Sequence, residues 1–236
     1  QTLTIDGGSL TTGTLTVVGG AETTGATAII NVIGGSAGDT ITTGSGADTI
    51  TGGEGADTIT GGAGADNVIL TEAVAAADTV VLTGAASSTT STDIDNVITG
   101  FGTADIIDLT TNSAFKHGVA ANTAYGTEGV VGNIANLVGL QVFSNNIAVA
   151  DAAAGPTEAE METYVGVNEM FFVGNVNDEV YVVADNGANT YIMQLGSSGA
   201  DNKVFTEAED VGVVLAVLVG VTDATTLSAA NFADFS

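Results

Sequence analysis

Residues 34–69 read GGSAGDTIT, TGSGADTIT, GGEGADTIT and GGAGADNVI, which are four gapless copies of one nine-residue unit. The sixth position of every copy carries an aspartate, and these residues are Asp39, Asp48, Asp57 and Asp66. The eighth position carries a β-branched aliphatic residue, and these are Ile41, Ile50, Ile59 and Val68. Carboxylates that recur in register indicate a metal site, because they bring the same oxygen ligand to the same place in each copy.

Each nine-residue unit divides into two halves with different chemistry. The first six residues are a glycine-rich turn, in which glycine tolerates positive φ and lets backbone carbonyls converge without a Cβ in the way. The last three residues suit a β-strand whose middle side chain points inward. Threonines on both sides of that residue, such as Thr40 and Thr42, are expected to face outward. The unit therefore predicts a turn that binds and a strand that packs.

The pattern Gly-Gly-x-Gly-x-Asp-x-hydrophobe-x resembles the calcium-binding nonapeptide of RTX (repeats-in-toxin) secreted proteins. This resemblance implies a parallel β-roll in which two nonapeptides make one turn and ions lie between repeats n and n+2. Carried over to this chain, Asp39 pairs with Asp57 on one edge of the roll, and Asp48 pairs with Asp66 on the other. The implied cofactor is Ca²⁺, which takes about six to eight hard oxygen ligands.

The resemblance also assigns carbonyl ligands to turn glycines at the second and fourth positions of the units. These residues are Gly35, Gly44, Gly46, Gly53, Gly55, Gly62 and Gly64. Ala37 replaces the third glycine of the first copy and Thr43 the first glycine of the second, so we expect these two turns to bind more weakly. Asp78, in ADTVVL, continues the aspartate cadence after a three-residue slip and is a candidate ligand for a further ion. The alternative, a flexible glycine-rich linker, does not explain the periodic hydrophobe.

A second match, NVITGFGTADIIDL at residues 96–109, resembles the stretch that closes many RTX rolls. The residues that fit are Phe101, Asp105, Ile107, Asp108 and Leu109. Gly100 and Ala104 replace the usual aspartate and glycine. We expect Phe101, Ile106, Ile107 and Leu109 to plug the open end of the roll. A structural role is favoured for Asp105 and Asp108, and Asp105 is retained as a candidate metal ligand.

Charge is the strongest global property of this 236-residue chain. Its 28 acidic residues against two basic ones give a formal net charge of −26. No basic patch can be assembled, which excludes nucleic acid and anionic membranes as partners. Because 44% of the residues are hydrophobic and only 13% are charged, the chain is expected to fold. Each bound Ca²⁺ offsets two negative charges, which couples metal binding to folding.

Several other classes of site and structure are excluded by composition. The chain has no cysteine, so neither disulfides nor thiol chemistry contribute. One histidine, His117, cannot build the zinc site of a protease. The longest apolar run, VGVVLAVLVGV at residues 211–221, is shorter than the roughly 20 residues of a membrane span and is expected to form one or two buried strands.

We expect an all-β fold in three parts. Residues 1–33 are expected to form an N-terminal β cap or the end of an upstream β-solenoid, and residues 34–111 the RTX β-roll with its closing segment. Residues 112–236 are expected to be a β-rich C-terminal assembly domain with one or two short helices, at 157–164 and 206–210. Strands are expected in the first and last parts at 2–5, 14–17, 27–33, 139–143, 169–174, 179–185, 189–195 and 211–221. The final residues, NFADFS, resemble the uncleaved signal of type I secretion.

These observations predict a secreted, calcium-dependent structural protein without catalytic activity, a subunit of a bacterial surface layer or filament. In a low-calcium cytosol the repulsive chain would stay unfolded and exportable, and millimolar calcium outside the cell would fold it. The expected partner is the protein itself, in a homo-oligomer, lattice or filament, with no direct membrane insertion. A cell-surface polysaccharide, bound through another region, is a second expected partner. The alternative is a calcium-stabilised C-terminal module of a larger adhesin or secreted hydrolase.

Overall fold

The structure, a computed structural model, describes the two-sheet core and parts of the C-terminal half. The described residues are 2–19, 28–83, 96–109, 126–127, 134–137, 140–143, 147, 149, 156–157, 160–161, 170–172, 179–196 and 211–233. Nearly all regular structure within them is β-strand, which confirms the all-β fold class.

Up to residue 109 the chain alternates between two parallel sheets, as expected for a β-roll. The first sheet contains β1 (Thr2–Asp6), β3 (Ile29–Ile33), β5 (Thr49–Thr51), β7 (Asp66–Ile69) and β9 (Asn96–Thr99). The second contains β2 (Thr16–Val18), β4 (Thr40–Ser45), β6 (Thr58–Ala63), β8 (Thr79–Val81) and β10 (Ile106–Asp108). Consecutive strands therefore lie in opposite sheets, and each strand pairs with the strand one full turn away.

The inward hydrophobe of each strand stacks on that of its neighbours in the sheet. Ile41 is in register with Ile59, and Ile59 with Val80. In the other sheet, Ile50 is in register with Val68. All five side chains are at most 1% exposed. The three extra residues before Asp78 leave this register intact, so the insertion is absorbed by the turn.

The roll extends beyond the four nonapeptides in both directions. The repeats supply only β4 to β7, whereas β1 to β3 precede them in the same two sheets. Val32 of β3 pairs directly with Ile50 of β5, so the first sheet is continuous across residue 33. Turns that do not match the nonapeptide pattern thus complete a roll that four repeats alone would leave short.

Five of the seven described C-terminal strands extend the first sheet. The seven are β11 (Gly126–Thr127), β12 (Ile134–Leu137), β13 (Leu140–Phe143), β14 (Met170–Phe172), β15 (Glu179–Asp185), β16 (Asn189–Gly196) and β17 (Val211–Val219). β17 pairs in parallel with β9, and β16 and β15 follow antiparallel. β13 and β11 complete a ten-stranded sheet in the described part of the chain, and β12 pairs separately with β14.

A C-terminal segment closes the end of the second sheet. Two 3-10 helices, Ala224–Thr226 and Ala229–Asn231, lead to Phe232, which forms a β-bridge with Ile107. Of the predicted plug, Phe101, Ile107 and Leu109 are buried in the core. Ile106 is only half-buried, so its place in the plug was wrong. Ile107, the next residue of the strand, points inward, and alternation turns Ile106 outward.

The predicted helix at 157–164 begins as the sequence indicates. The Thr157 hydroxyl accepts the Glu160 N–H at 3.3 Å, and Glu160 accepts the Thr157 N–H at 2.7 Å, which is a capping box. The Met161 N–H then donates to the Thr157 carbonyl at 2.9 Å. The second predicted helix, at 206–210, lies outside the described residues, as does His117. Among the residues that the structure describes, no helix is long and apolar enough to cross a membrane.

Candidate metal centre

The turns of the roll use the predicted glycines in a backbone conformation that other residues avoid. Six of the seven predicted ligand glycines have φ between 98° and 149°, and they are Gly44, Gly46, Gly53, Gly55, Gly62 and Gly64. Gly35 does not share this conformation; its N–H donates to Asp39 Oδ2 at 2.6 Å, and its carbonyl accepts the Glu54 N–H at 2.9 Å. Tight turns are thereby stacked with their backbones in close contact.

Along one edge of the roll the aspartates form a continuous ladder. The Asp39 N–H donates to Asp57 Oδ1 at 2.7 Å, the Asp57 N–H to Asp78 Oδ1 at 2.9 Å, and the Asp78 N–H to Asp105 Oδ1 at 3.1 Å. These four aspartates are 1–4% exposed. The structure therefore brings Asp39 and Asp57 together, and it places Asp78 and Asp105 in the next two turns.

The opposite edge carries a shorter ladder. The Asp48 N–H donates to Asp66 Oδ1 at 2.9 Å, and Asp48 Oδ1 accepts the Ile30 N–H at 2.7 Å. The position after Asp66 is taken by Asn96, which is in register with it. The Asn96 amide donates to the Leu215 carbonyl of β17 at 3.0 Å. Sequence reasoning missed this role of Asn96, because no glycine-rich turn precedes it.

Two of these aspartates have a carboxylate oxygen that no described donor satisfies. Asp48 Oδ2 and Asp57 Oδ2 are fully buried and have no hydrogen-bond partner among the described residues. A Cβ built on Gly52 would collide with Asp57 Oδ2, so the first glycine of that unit keeps the space beside the carboxylate open. A buried anionic oxygen without a donor is costly unless a cation compensates it. These residues therefore fit Ca²⁺, which oxygen ligands bind.

A third carboxylate joins the ladder where the three-residue insertion occurs. Ligand atoms of Asp57, Glu72 and Asp78 all lie within 4.8 Å of one another. Burial raises the pKa of Asp57 to about 6, and the nearby charges of Asp39 and Glu72 add to this. Burial likewise raises the pKa of Asp78 to about 7, with further contributions from Glu72, Asp105 and Asp57. The cluster thus holds more negative charge than its surroundings stabilise without a cation.

Glu72 is a member of the cluster that sequence reasoning missed. Its Oε2 accepts the Ala76 N–H at 2.7 Å, and its Oε1 is buried without a hydrogen-bond partner among the described residues. The carboxylate of Glu54 accepts the N–H groups of Ala73 and Val74, at 2.8 and 3.2 Å, and so holds the same turn. The signal in the sequence was the three-residue insertion before Asp78, which lengthens the turn that contains Glu72.

Other predicted ligands have their oxygens occupied by backbone donors. Asp105 accepts the N–H groups of Asp78 and Gly102, at 3.1 and 2.7 Å, which supports its structural role in closing the roll. Asp39 accepts those of Leu15 and Gly35, both at 2.6 Å. The direct ligation of an ion by these two aspartates, and by the carbonyls of the turn glycines, stays a prediction.

A comparison with known protein families agrees with this geometry. Residues 33–68 match the family model of the RTX calcium-binding nonapeptide repeat, in four copies. These residues are RTX repeats, and calcium is their cofactor. The AlgE6R3 subunit of the Azotobacter vinelandii mannuronan C5-epimerase is a similar solved structure, with 19% identity and a TM-score of 0.39 over 91% of this chain and 83% of that one. No curated protein sequence matches the chain.

Proposed function

We propose that this protein is an extracellular structural protein that calcium folds and assembles, a subunit of a bacterial surface layer or filament exported by type I secretion. The observation that carries the proposal is the pair of aspartate ladders inside a chain of net charge −26. Without a cation these buried carboxylates oppose folding, and calcium outside the cell reverses the balance. Calcium concentration is then the switch between an exportable chain and a folded subunit.

The proposed role involves no catalysis. Among the described residues, six of the buried acidic side chains belong to the two ladders, Asp39, Asp48, Asp57, Asp66, Asp78 and Asp105. The remaining one, Asp185, accepts the N–H groups of Gly187 and Ala224, both at 3.0 Å, and so joins β15 to the C-terminal segment. Stacked turns and a capped turn account for these carboxylates without a reaction.

Self-association is supported by the N-terminal end of the roll. Both sheets end there in the described part of the chain, with β1 and β2 as their edge strands. Leu3 on β1 is 54% exposed, and Val18 on β2 is 79% exposed. Exposed apolar side chains on strands at the end of a described sheet favour pairing with a further strand. We propose that copies of this protein associate through this end.

Electron microscopy of the purified chain with and without millimolar calcium tests the proposal. Calcium-dependent sheets or filaments are expected, and a Leu3→Asp/Val18→Asp variant should fold with calcium without forming them. Val219→Asp is the matched control, because Val219 is also exposed, at 38%, but lies on β17, which is paired on both sides. A stable monomer in millimolar calcium would contradict the proposal and favour the alternative, a calcium-stabilised module of a larger adhesin or secreted hydrolase.

A further inference from the structure

The cluster of Asp57, Glu72 and Asp78 differs in composition from the stacked aspartate pairs. The match to the RTX repeat model ends at residue 68, so Glu72 and Asp78 lie beyond the matched repeats. Building on the calcium-dependent folding proposed above, we infer that these three side chains form a calcium site in which Glu72 is a direct ligand. This site binds Ca²⁺ more tightly than the sites of the matched repeats.

Buried carboxylate oxygens without hydrogen-bond donors lie close together in this cluster, and this is the first support. Asp57 is 1% exposed; its Oδ1 accepts the Asp39 N–H, whereas its Oδ2 has no partner among the described residues. Glu72 Oε1 is also buried without a hydrogen-bond partner among the described residues, whereas Oε2 of the same carboxylate accepts the Ala76 N–H. With ligand atoms of the three carboxylates within 4.8 Å of one another, their charges repel unless a cation lies between them.

The second support is the way in which the insertion is held. The bond from the Ala76 N–H to Glu72 ties the carboxylate to its own turn. Glu54 of the preceding turn on the same edge fixes the N–H groups of Ala73 and Val74. Because these contacts already hold the Glu72 carboxylate and its turn in place, little conformational freedom is lost when an ion binds.

The third support is charge. A stacked pair such as Asp48 and Asp66 brings two carboxylates, whereas this cluster brings three. The affinity of a calcium site rises with the number of charged ligands and with the rigidity of the site. Mg²⁺ is smaller and retains several of its waters, so a buried set of carboxylates suits it less well.

Equilibrium dialysis of the full chain against buffered Ca²⁺ tests the inference by counting bound ions at each calcium concentration. Glu72→Gln retains the shape of the side chain and an acceptor for the Ala76 N–H but removes the charge. We expect the tightest site to weaken by about tenfold or more in this variant, with the weaker sites unchanged. Asp6→Asn is the charge control, because it removes one negative charge from an exposed residue of β1. Within the described structure, the Asp6 side chain accepts a hydrogen bond from the nearby Gly8 N–H.

Two results with Glu72→Gln and its control would overturn the inference. One is a binding curve of Glu72→Gln that superimposes on the wild type, and the other is an equal loss in Asp6→Asn, which would make the effect one of net charge. Glu72→Asp retains the charge with a shorter reach, and an intermediate curve is expected. If Glu72→Gln does not fold at any calcium concentration, Glu72→Asp decides, and a wild-type curve there contradicts the inference. If calcium binds as expected but no lattice forms, the proposed assembly is contradicted and the inferred calcium site is not.

Discussion

At the scale of single residues, the turn glycines differ in what lies beside them. A Cβ on Gly62 would strike the Gly44 carbonyl of the neighbouring turn, whereas a Cβ on Gly52 would strike the carboxylate of Asp57. Gly13 has a similarly positive φ of 97° but nothing within 4 Å of its missing Cβ. Some glycines therefore allow turns to stack, others make room for the metal ligand, and others serve only the local turn.

Replacing Gly62 by alanine is expected to destabilise the protein much more than replacing Gly13. Both variants bear the strain of a left-handed backbone, about 1–2 kcal/mol. Gly62→Ala must in addition move the backbone of the stacked turn, because φ at Gly62 is 101° and the contact is with a carbonyl of the main chain. Urea unfolding at saturating calcium measures both free energies of unfolding. Equal losses would show that turn stacking does not require the glycine.

The raised pKa values of Asp57 and Asp78, about 6 and about 7, predict the pH dependence of the calcium-free protein. In the unfolded chain both carboxyls titrate near 3.8. Between pH 4 and 7, roughly, the folded state then binds more protons than the unfolded state, so its stability falls as pH rises. Without calcium, the balance between folded and unfolded chain should therefore favour folding more at about pH 5 than at about pH 7.5, and far-UV circular dichroism should show a larger folded fraction at the lower pH.

Calcium binding is expected to show the opposite pH trend. The ion must displace protons from Asp57 and Asp78 below about pH 7, so its apparent affinity should fall as pH decreases. Calorimetry in buffers of different ionisation enthalpy would detect the released protons. Stability of the calcium-free chain that rises with pH, or calcium binding at about pH 6 without proton release, would contradict these assignments.

At the scale of elements, the C-terminal 3-10 helices hold β10, the last strand of the second sheet. The Asn231 side-chain amide donates to the carbonyls of Thr103 and Asp105, at 3.0 and 2.9 Å, and the Ala233 N–H donates to the Ile107 carbonyl at 2.9 Å. Phe232, 1% exposed, packs beside them. A segment more than 100 residues away in sequence thus covers the edge of the second sheet.

Asn231→Ala is expected to weaken the attachment of β10 and to cost about 1–3 kcal/mol, because the buried Asp105 carbonyl and the part-buried Thr103 carbonyl both lose this donor. Hydrogen exchange should quicken at the Ile106 N–H, which donates to the Asp78 carbonyl at 2.8 Å. Thr226→Ala is the matched control, since its hydroxyl donates at 2.7 Å to the carbonyl of Asp223 within the same segment and does not reach the roll. Unchanged exchange in Asn231→Ala would show that the C-terminal segment does not stabilise β10.

At the scale of the whole molecule, the roll and the C-terminal strands share one sheet and one core. β9 pairs with β17 in register from Asn96 to Thr99, and Ile98 lies opposite Leu218. Buried residues of the C-terminal strands, including Tyr181 and Ile192, belong to the same hydrophobic cluster as the inward residues of the roll. Loss of the roll would therefore remove both a pairing strand and packing partners from the C-terminal part.

Calcium removal is accordingly expected to unfold both parts in one transition. Tyrosine fluorescence reports on the C-terminal sheet, where Tyr181 and Tyr191 are at most 1% exposed, and the chain has no tryptophan to mask it. Far-UV circular dichroism reports on all strands. The calcium midpoints of the two signals should coincide, and Mg²⁺ at the same concentrations should not restore either. Separate midpoints would show that the parts fold independently.

Much of the roll could be predicted from the sequence because its contacts recur at a fixed spacing. The period of nine set which residue of each strand points inward, as Ile41 and Ile59 show. The resemblance to RTX repeats, in which two units make one turn, placed Asp39 against Asp57 and Asp48 against Asp66. It also indicated calcium, through carboxylates in register beside glycine-rich turns. These features depend on residues one roll turn apart, so local sequence suffices for them.

The tertiary structure alone decided the contacts that follow no period. Glu72 lies beside Asp57 and Asp78 because of the conformation of the longer turn, which Glu54 holds through two N–H groups, and turn conformation cannot be read from spacing. Asn96 takes an aspartate position and bonds to β17, and β9 joins β17 into one sheet across more than 100 residues of chain. Such pairings form only when distant strands meet, and burial of a shared core then selects them over the alternatives.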